Sequence, residues 1–171
     1  IEVVIFDGSR GIGNKLCLPA GPLREPLQRI ESVDFIVSSS SSLSKEGIPE
    51  NAIMKYKPTE WVRLSDQKKI DLDAWPLGKV VHGVAGIGNP SRFFSTLKGL
   101  DFKFIEHSFP DHYQFTEEDL TFSEPLPIVM TEKDAARCHK IKIKNIWILK
   151  IEAELSDDFA LQLLNKIKGE D

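Results

Sequence analysis

Two short segments of the sequence carry side chains suited to handling a phosphate ester and a proton. The first is a loop rich in glycine and proline, in which Arg10 and Arg24 provide forked guanidinium donors and Gly13 and Asn14 lie between them. A planar guanidinium can bind a phosphate through two parallel hydrogen bonds, so this stiff loop suits a phosphorylated ligand. The alternative is that Arg24 and Glu25 only form surface ion pairs, which stabilise little.

The second segment is a turn in which Asp111 and His112 directly follow a proline. Histidine exchanges a proton near neutral pH, and a neighbouring carboxylate orients the ring and makes it more basic. We therefore interpret His112 as a candidate general base and Asp111 as its candidate orienting group. Adjacent residues usually point apart, so a turn without a catalytic role is the alternative.

The stretch 80–97 combines the signals of a strand, a tight turn and a helix. Its apolar, β-branched start predicts a buried strand, two glycines break the run, and Asn89-Pro90 suits the N-cap and first position of a helix. A helix N-terminus after such a turn presents backbone N–H groups to an anion, although a plain strand-to-helix corner is the alternative. The candidate anion-binding residues are Gly86, Gly88, Asn89 and, from a later motif, Lys133.

These segments lie where an α/β fold places functional groups. Asp7 ends a predicted strand over 2–6, and the His112 turn follows a predicted strand over 102–106. Ligands of open α/β sheets bind outside the carboxyl ends of the strands. Strand and helix patterns alternate along the chain, which predicts an α/β fold with a mainly parallel, layered sheet.

Local patterns predict several further elements. Strands over 52–56 and 61–64 are expected to form a hairpin or a ribbon joining two lobes, and alternating lysine and isoleucine predicts a basic, half-buried strand over 140–146. Thr131 is expected to cap a short helix, with Asp134 completing the capping box. An amphipathic helix is expected over 159–167.

Composition excludes several classes of protein. The formal net charge of the 171 residues is −4, so we expect no nucleic-acid partner. Cys17 and Cys138 lie far apart and fit no metal-binding spacing, so we expect unpaired thiols and no metal site. No apolar run approaches the roughly 20 residues that cross a bilayer. The chain begins at Ile1 without a methionine and enters a strand at once, so we expect a fragment.

Five motifs, in this order, resemble the tetraacyldisaccharide 4'-kinases of lipid A synthesis. They are D-G-S-R-G-I-G-N, L-P-A-G-P-L-R-E-P, A-G-I-G-N-P-S-R-F-F, F-P-D-H-Y and M-T-E-K-D-A. The resemblance runs from about the first residue to the last helix and covers the C-terminal half of that family. The family's N-terminal half carries a membrane-associating helix and a Walker A loop, and this sequence contains no G-x-x-x-x-G-K-[ST] motif.

The resemblance implies the C-terminal portion of a two-lobed, P-loop kinase-like fold. Residues 1–50 would complete the nucleotide-binding core, 51–145 would form a second α/β lobe with a linking ribbon, and 146–171 would return as a strand and a terminal helix. The implied reaction transfers the γ-phosphoryl group of ATP, with Mg²⁺, to the 4'-hydroxyl of a lipid disaccharide phosphate. In that family the histidine of the F-P-D-H-Y motif helps to activate the sugar hydroxyl, which implies the same role for His112.

The resemblance also implies where and with what the protein works. The full-length protein would act at the cytoplasmic face of the bacterial inner membrane, on a lipid disaccharide phosphate, with no stable protein partner. The fragment alone would be inactive, because ATP and Mg²⁺ would be bound mainly by the other half. We expect the arginine loop and the histidine turn to converge on one cleft. The competing interpretation is a non-catalytic α/β module that binds an anion or a phosphorylated sugar.

Overall fold

The computed structural model describes residues 1–8, 10–40, 42–138 and 140–169. Strands and helices alternate over most of this length, as the hydrophobic patterning predicts. In chain order the strands and α-helices are β1 (Val3–Phe6), β2 (Phe35–Ser38), α1 (Ser42–Lys45), β3 (Ala52–Ile53), β4 (Lys55–Arg63), β5 (Lys69–Asp71), β6 (Val80–Ala85), α2 (Pro90–Gly99), β7 (Lys103–Ser108), β8 (Ile128–Thr131), α3 (Glu132–Ala135), β9 (Ile146–Glu154) and α4 (Asp157–Lys168). Short 3-10 helices cover Leu27–Ser32, Leu72–Ala74 and Glu118–Leu120.

The chain divides into two compact units. The first consists of Ile1–Lys57 with Ala153–Asp171, and the second of Pro58–Glu152. Both boundaries fall inside long strands, β4 and β9. The boundaries expected from sequence lay at 50 and 145, before these strands cross from one unit to the other.

The first unit contains a parallel three-stranded sheet in the order β1-β2-β3. One face of β2 contributes Ile36 to a core that also contains Leu43. The other face packs on α4, where the rings of Phe35 and Phe159 meet edge to face with centroids 5.2 Å apart. The α4 helix starts where the Ser156 hydroxyl accepts the N–H of Phe159 at 3.2 Å, a standard N-cap.

The six-stranded sheet has the order β5-β4-β9-β8-β6-β7. The strands β9, β8, β6 and β7 pair in parallel, and β4 and β5 pair antiparallel. Alternate residues of β6 face two separate cores: Val81 and Ala85 pack towards α2, and Val84 packs on the opposite side with Phe115. The predicted α/β fold with a mainly parallel sheet is confirmed.

Of the hairpin or ribbon expected over 52–64, the hairpin is wrong, because one continuous strand covers Lys55–Arg63. The β4 strand continues without a break through Lys57-Pro58-Thr59-Glu60, and the turn follows it, where Gln67 has a φ of 57°. Asp66 fixes this turn, because its carboxylate accepts the Arg63 guanidinium at 2.6 Å and the Lys68 N–H at 3.2 Å. Polar side chains that bond to their own backbone determine where the chain turns. An extended strand tolerates a proline where the missing N–H is not needed for pairing.

The predicted strand over 140–146 is wrong up to residue 145, since residues 140–145 form no strand and β9 begins at Ile146. The N–H of Ile141 donates to the carbonyl of Cys138 at 2.9 Å, and the N–H of Lys142 donates to Glu117 Oε1 at 2.9 Å. A turn and a side chain therefore take backbone donors that a strand would place in its ladder. In the part of the chain that the structure describes, no helix has the length and apolarity needed to cross a membrane.

Candidate functional site

Gly86 joins three segments that lie far apart in the sequence. Its N–H donates to Asp134 Oδ1 at 3.2 Å, and its carbonyl accepts the N–H of His112 at 3.2 Å and Nη1 of Arg137 at 3.0 Å. The backbone N–H and the carbonyl of Gly86 thus hold the end of β6 to the turn after β7 and to the α3 region. This explains why these turns meet at the carboxyl end of the parallel strands.

A glycine is needed at this junction because the neighbours approach closely. A Cβ atom at Gly86 would lie 3.2 Å from the Pro110 carbonyl oxygen, and 3.3 Å from both Asp134 Oδ1 and the Phe115 ring. A Cβ atom at Gly88 would lie 3.2 Å from Asp111 Oδ2. The glycines of this motif therefore allow the His112 turn to pack directly against the end of β6.

His112 lies in a strained and exposed part of that turn. Its φ of 63° falls in the left-handed region, which residues with a side chain rarely adopt. Its side chain is 82% exposed. Asp111 Oδ1 accepts the backbone N–H of His112 at 2.9 Å, whereas Asp111 Oδ2 is 3.9 Å from the ring Nε2. In the structure Asp111 therefore holds the backbone of His112, and strain of this kind is typical of functional sites.

Asp134 is the buried anchor beneath this turn, with a side chain that is 0% exposed. Thr131 caps α3 as predicted, since its Oγ1 accepts the Asp134 N–H at 3.2 Å. The Asp134 carboxylate accepts the Thr131 hydroxyl at 2.6 Å, in place of the backbone N–H that a capping box uses. Burial raises the pKa of Asp134, while the hydrogen bonds from Thr131 and Gly86 and the charge of Arg137 oppose this shift. The carboxylate thus binds the capping hydroxyl of Thr131 and links the start of α3 to Gly86 at the end of β6.

Arg137 completes the arrangement, and sequence reasoning missed it. Its Nη1 lies 3.3 Å from Asp134 Oδ1, and its Nη2 lies 3.4 Å from His112 Nδ1. One signal in the sequence could have found it, because Asp134 and Arg137 are three residues apart and such pairs share one helical face. The partners Gly86 and His112 lie too far away in the sequence for any local pattern to reveal them.

The four candidate anion-binding residues have different surroundings. Asn89 occupies the N-cap position of α2 and Pro90 its first position, but Asn89 makes no side-chain cap bond and its Oδ1 accepts the Ser91 hydroxyl at 2.8 Å. The Gly86 N–H is used by Asp134 inside the protein. Lys133 is exposed on α3. Anion binding by this group stays a prediction.

The arginine loop lies in the first unit, where Arg10 and Arg24 line a groove of about 570 Å³. Glu25 forms a surface ion pair with Arg29 at 3.3 Å. The other two candidates of this loop fix its shape. Asn14 donates to the Ala20 carbonyl at 2.9 Å, and Gly13 has a φ of 56° that favours glycine.

The sequence-predicted residues therefore fall into two groups. Asp111 and His112 lie in the second unit with the β6 turn, and the four loop residues lie in the first. A cleft shared by the two groups stays a prediction. Among the described residues, no group of three or more histidine, cysteine, aspartate or glutamate side chains is arranged to hold a metal ion.

Comparison with known proteins agrees with this architecture. The family described as LpxK, tetraacyldisaccharide-1-P 4'-kinase, matches residues 1–168. A tetraacyldisaccharide 4'-kinase from Hahella chejuensis is 43% identical over 159 residues, which are 93% of this chain and 46% of that protein. One from Pseudomonas aeruginosa is also 43% identical over 159 residues, which are 47% of its length.

A solved structure has a similar fold. The crystal structure of the "apo" form of LpxK from Aquifex aeolicus in complex with ATP matches with a TM-score of 0.70 and 25% sequence identity, over 96% of this chain and 51% of that chain. The chain thus spans about half the length of the relatives and of the structure that it matches. The match covers nearly every residue from the arginine loop to the last helix, and on this basis the chain belongs to the tetraacyldisaccharide-1-P 4'-kinase family.

Proposed function

We propose that the protein containing this chain transfers the γ-phosphoryl group of ATP to the 4'-hydroxyl of a tetraacyldisaccharide 1-phosphate in lipid A synthesis. The observation that carries the proposal is the family match over residues 1–168. The relatives from Hahella chejuensis and Pseudomonas aeruginosa bear the name of this activity. An exposed, strained histidine at the carboxyl end of a parallel sheet supports it independently.

Within this reaction we assign His112 to the acceptor hydroxyl. Enzymatic phosphoryl transfer depends mainly on positioning and on neutralising charge, and a group that removes or directs the hydroxyl proton adds about 10²–10⁴-fold. His112 suits this task because its ring is open to solvent while its backbone is held by Gly86 and Asp111. A fixed backbone under an accessible ring limits the directions in which the ring can act.

We assign the phosphate of the acceptor to the arginine loop. Arg10 and Arg24 line the groove of about 570 Å³ in the first unit, which also contains the neighbouring Arg29. Guanidinium groups bind phosphate through two parallel hydrogen bonds, so Arg24→Gln is expected to weaken acceptor binding more than turnover. Asn14 and Gly13 would act by keeping the loop in shape.

We assign ATP and Mg²⁺ to the part of the longer relatives that this chain does not span. The structure of the Aquifex aeolicus LpxK contains ATP, and this chain covers 51% of it. The residues described here contain no cluster suited to a metal, so no step of the mechanism is assigned to Mg²⁺ through them. Because the acceptor is a lipid, we place the reaction at the cytoplasmic face of the inner membrane.

The test is product analysis with the protein at its natural length. It is incubated with ATP and tetraacyldisaccharide 1-phosphate, and the lipid product is analysed by mass spectrometry and by ³¹P NMR. The proposal predicts a second phosphate at the 4' position. A protein that binds the phosphorylated sugar without transferring phosphate would instead be the non-catalytic anion-binding module, and the kinase proposal would be wrong.

A further inference from the structure

We propose that Arg137, clamped by the buried Asp134, is a positioning residue that sets the orientation and the tautomer of the His112 ring. This inference rests on the proposed function for its catalytic meaning. The tautomer of the His112 ring can be measured without any assay of activity, because it depends only on which ring nitrogen carries the proton.

The first step is that the guanidinium of Arg137 is held in place from below. Its Nη1 donates to the Gly86 carbonyl at 3.0 Å and lies 3.3 Å from Asp134 Oδ1. The side chain is only 15% exposed, and Asp134 is itself fixed by Thr131 and by the Gly86 N–H. Because Nη1 is bonded to two fixed acceptors, the planar guanidinium cannot turn freely, and the direction of Nη2 is determined.

The second step is what that other edge faces. Nη2 of Arg137 lies 3.4 Å from Nδ1 of His112. The backbone N–H of His112 donates to the same Gly86 carbonyl that binds Arg137. The His112 backbone and the Arg137 guanidinium therefore share one anchor atom, and a displacement of Arg137 acts on the side chain and the backbone of His112 together.

The third step is the chemistry of the contact. A guanidinium carries only donors, so the nitrogen that faces it must offer a lone pair. In the neutral ring the proton then lies on Nε2. A proton on Nδ1 would face N–H groups that carry positive charge, and this disfavours the other tautomer.

The tautomer determines what His112 presents to the acceptor. An Nε2–H group is a hydrogen-bond donor and cannot take a proton at the same atom. In the resting state Nε2–H therefore donates a hydrogen bond to the acceptor hydroxyl oxygen and fixes its direction. Without Arg137 both tautomers become accessible and the ring loses its fixed direction.

The experiment uses the natural-length protein labelled with ¹⁵N-histidine. Long-range ¹H–¹⁵N NMR spectra report which ring nitrogen is protonated, and His112→Gln identifies the signals. We expect Nε2–H in the wild type and a mixture of tautomers in Arg137→Gln. Misplacing a reacting group costs up to about 100-fold in rate, so kcat should fall by about 10–100-fold with KM within about threefold.

Two variants are matched to Arg137→Gln. Arg137→Lys retains the charge but cannot bridge three acceptors with a fork, so its kcat is expected to lie between the wild type and Arg137→Gln. Arg63→Gln removes another arginine of the second unit, whose guanidinium pairs with Asp66 at 2.6 Å in the β4 turn. It should leave the His112 signals and kcat unchanged.

Two results would overturn the proposal. One is an Nδ1–H tautomer of His112 in the wild type, a measurement that does not depend on any variant folding. The other is an Arg137→Gln protein with wild-type tautomer and wild-type kcat. A wild type that transfers no phosphate would instead refute the proposed function, and the NMR spectrum would still decide the role of Arg137.

Discussion

His82 Nδ1 lies 3.1 Å from His107 Nε2, so a hydrogen bond joins two imidazole rings on the neighbouring strands β6 and β7. The other nitrogen of His82, Nε2, is 3.0 Å from the Glu124 carbonyl oxygen, which can only accept. His82 therefore carries its proton on Nε2 and receives the N–H of His107. Both rings also pack on Phe122, with centroids 4.1 Å apart in each case. In its neutral form the pair holds the segment that leads into β8.

This pair predicts a loss of stability in mild acid. Burial, and secondarily the charge of His82, lowers the pKa of His107 below 6.5, while Glu124 opposes the shift. The unfolded chain binds this proton more readily than the folded protein does. The contribution of the neutral His107 to the free energy of unfolding is therefore fully present above about pH 6.5, and it is lost as the pH falls through the lower pKa of the folded state. Denaturant unfolding at about pH 7.5 and 5.5 should show a steeper loss in the wild type than in His107→Phe. Equal losses in the two proteins would contradict this.

Gly86 predicts a second, steric effect. An added Cβ would lie 3.2 Å from the Pro110 carbonyl oxygen, which is tighter than most real Cβ contacts, so Gly86→Ala is expected to push against the turn that carries His112. We expect a loss of about 1–3 kcal/mol in the free energy of unfolding. Gly99→Ala is the matched control, because nothing lies within 4 Å of its added Cβ, and it should stay within about 0.5 kcal/mol of the wild type. Similar effects at the two positions would argue against close packing at Gly86.

A third prediction compares two Thr-x-x-Asp pairs in different surroundings, Thr131 with Asp134 and Thr116 with Asp119. Asp134→Ala leaves Thr131, Gly86 and Arg137 without their shared carboxylate in a buried site, which should cost about 3 kcal/mol. Asp119→Ala removes the carboxylate that accepts the Thr116 hydroxyl. This bond is exposed, so water can replace it. Thermal and denaturant unfolding should show a clearly smaller loss for Asp119→Ala, and the reverse order would be inconsistent with the structure.

The two cysteines predict a difference in reactivity. Both are free, Cys17 is half-buried and Cys138 is buried. Burial, with the nearby charge of Asp134, raises the pKa of Cys138 to about 11, so little reactive thiolate forms at neutral pH. Iodoacetamide should label Cys17 in the native protein and Cys138 only after denaturation, as peptide mass spectrometry can measure. Rapid labelling of Cys138 in the native state would show that its site opens.

Local signals predicted the central strand, turn and helix well. The strand over 80–85, the glycines and the Asn89-Pro90 helix start occupy one short stretch, and each signal acts on its own neighbours. The hairpin expected over 52–64 was wrong because the turn lies further along the chain, at Asp66, whose own side chain supplies the stabilising bonds. The strand expected from residue 140 was wrong up to residue 145 because alternation alone does not supply a partner strand.

The candidate site was only partly predictable, for a related reason. His112 was found because it lies in a short motif at the end of a strand. Arg137 was missed because its role comes from contacts with Gly86 and His112, which only the folded sheet brings near. The cap formed by Thr131 and Asp134 was predicted, whereas the bond from Asp134 to Gly86 is a tertiary contact that no local pattern contains.

The most direct test of the account is the kcat of His112→Ala in the natural-length protein, measured with saturating ATP and tetraacyldisaccharide 1-phosphate. If the exposed ring acts on the acceptor hydroxyl, kcat should fall by about 10²–10⁴-fold while the variant unfolds like the wild type. An unchanged kcat in a folded His112→Ala protein would remove this histidine from the reaction and would contradict the account.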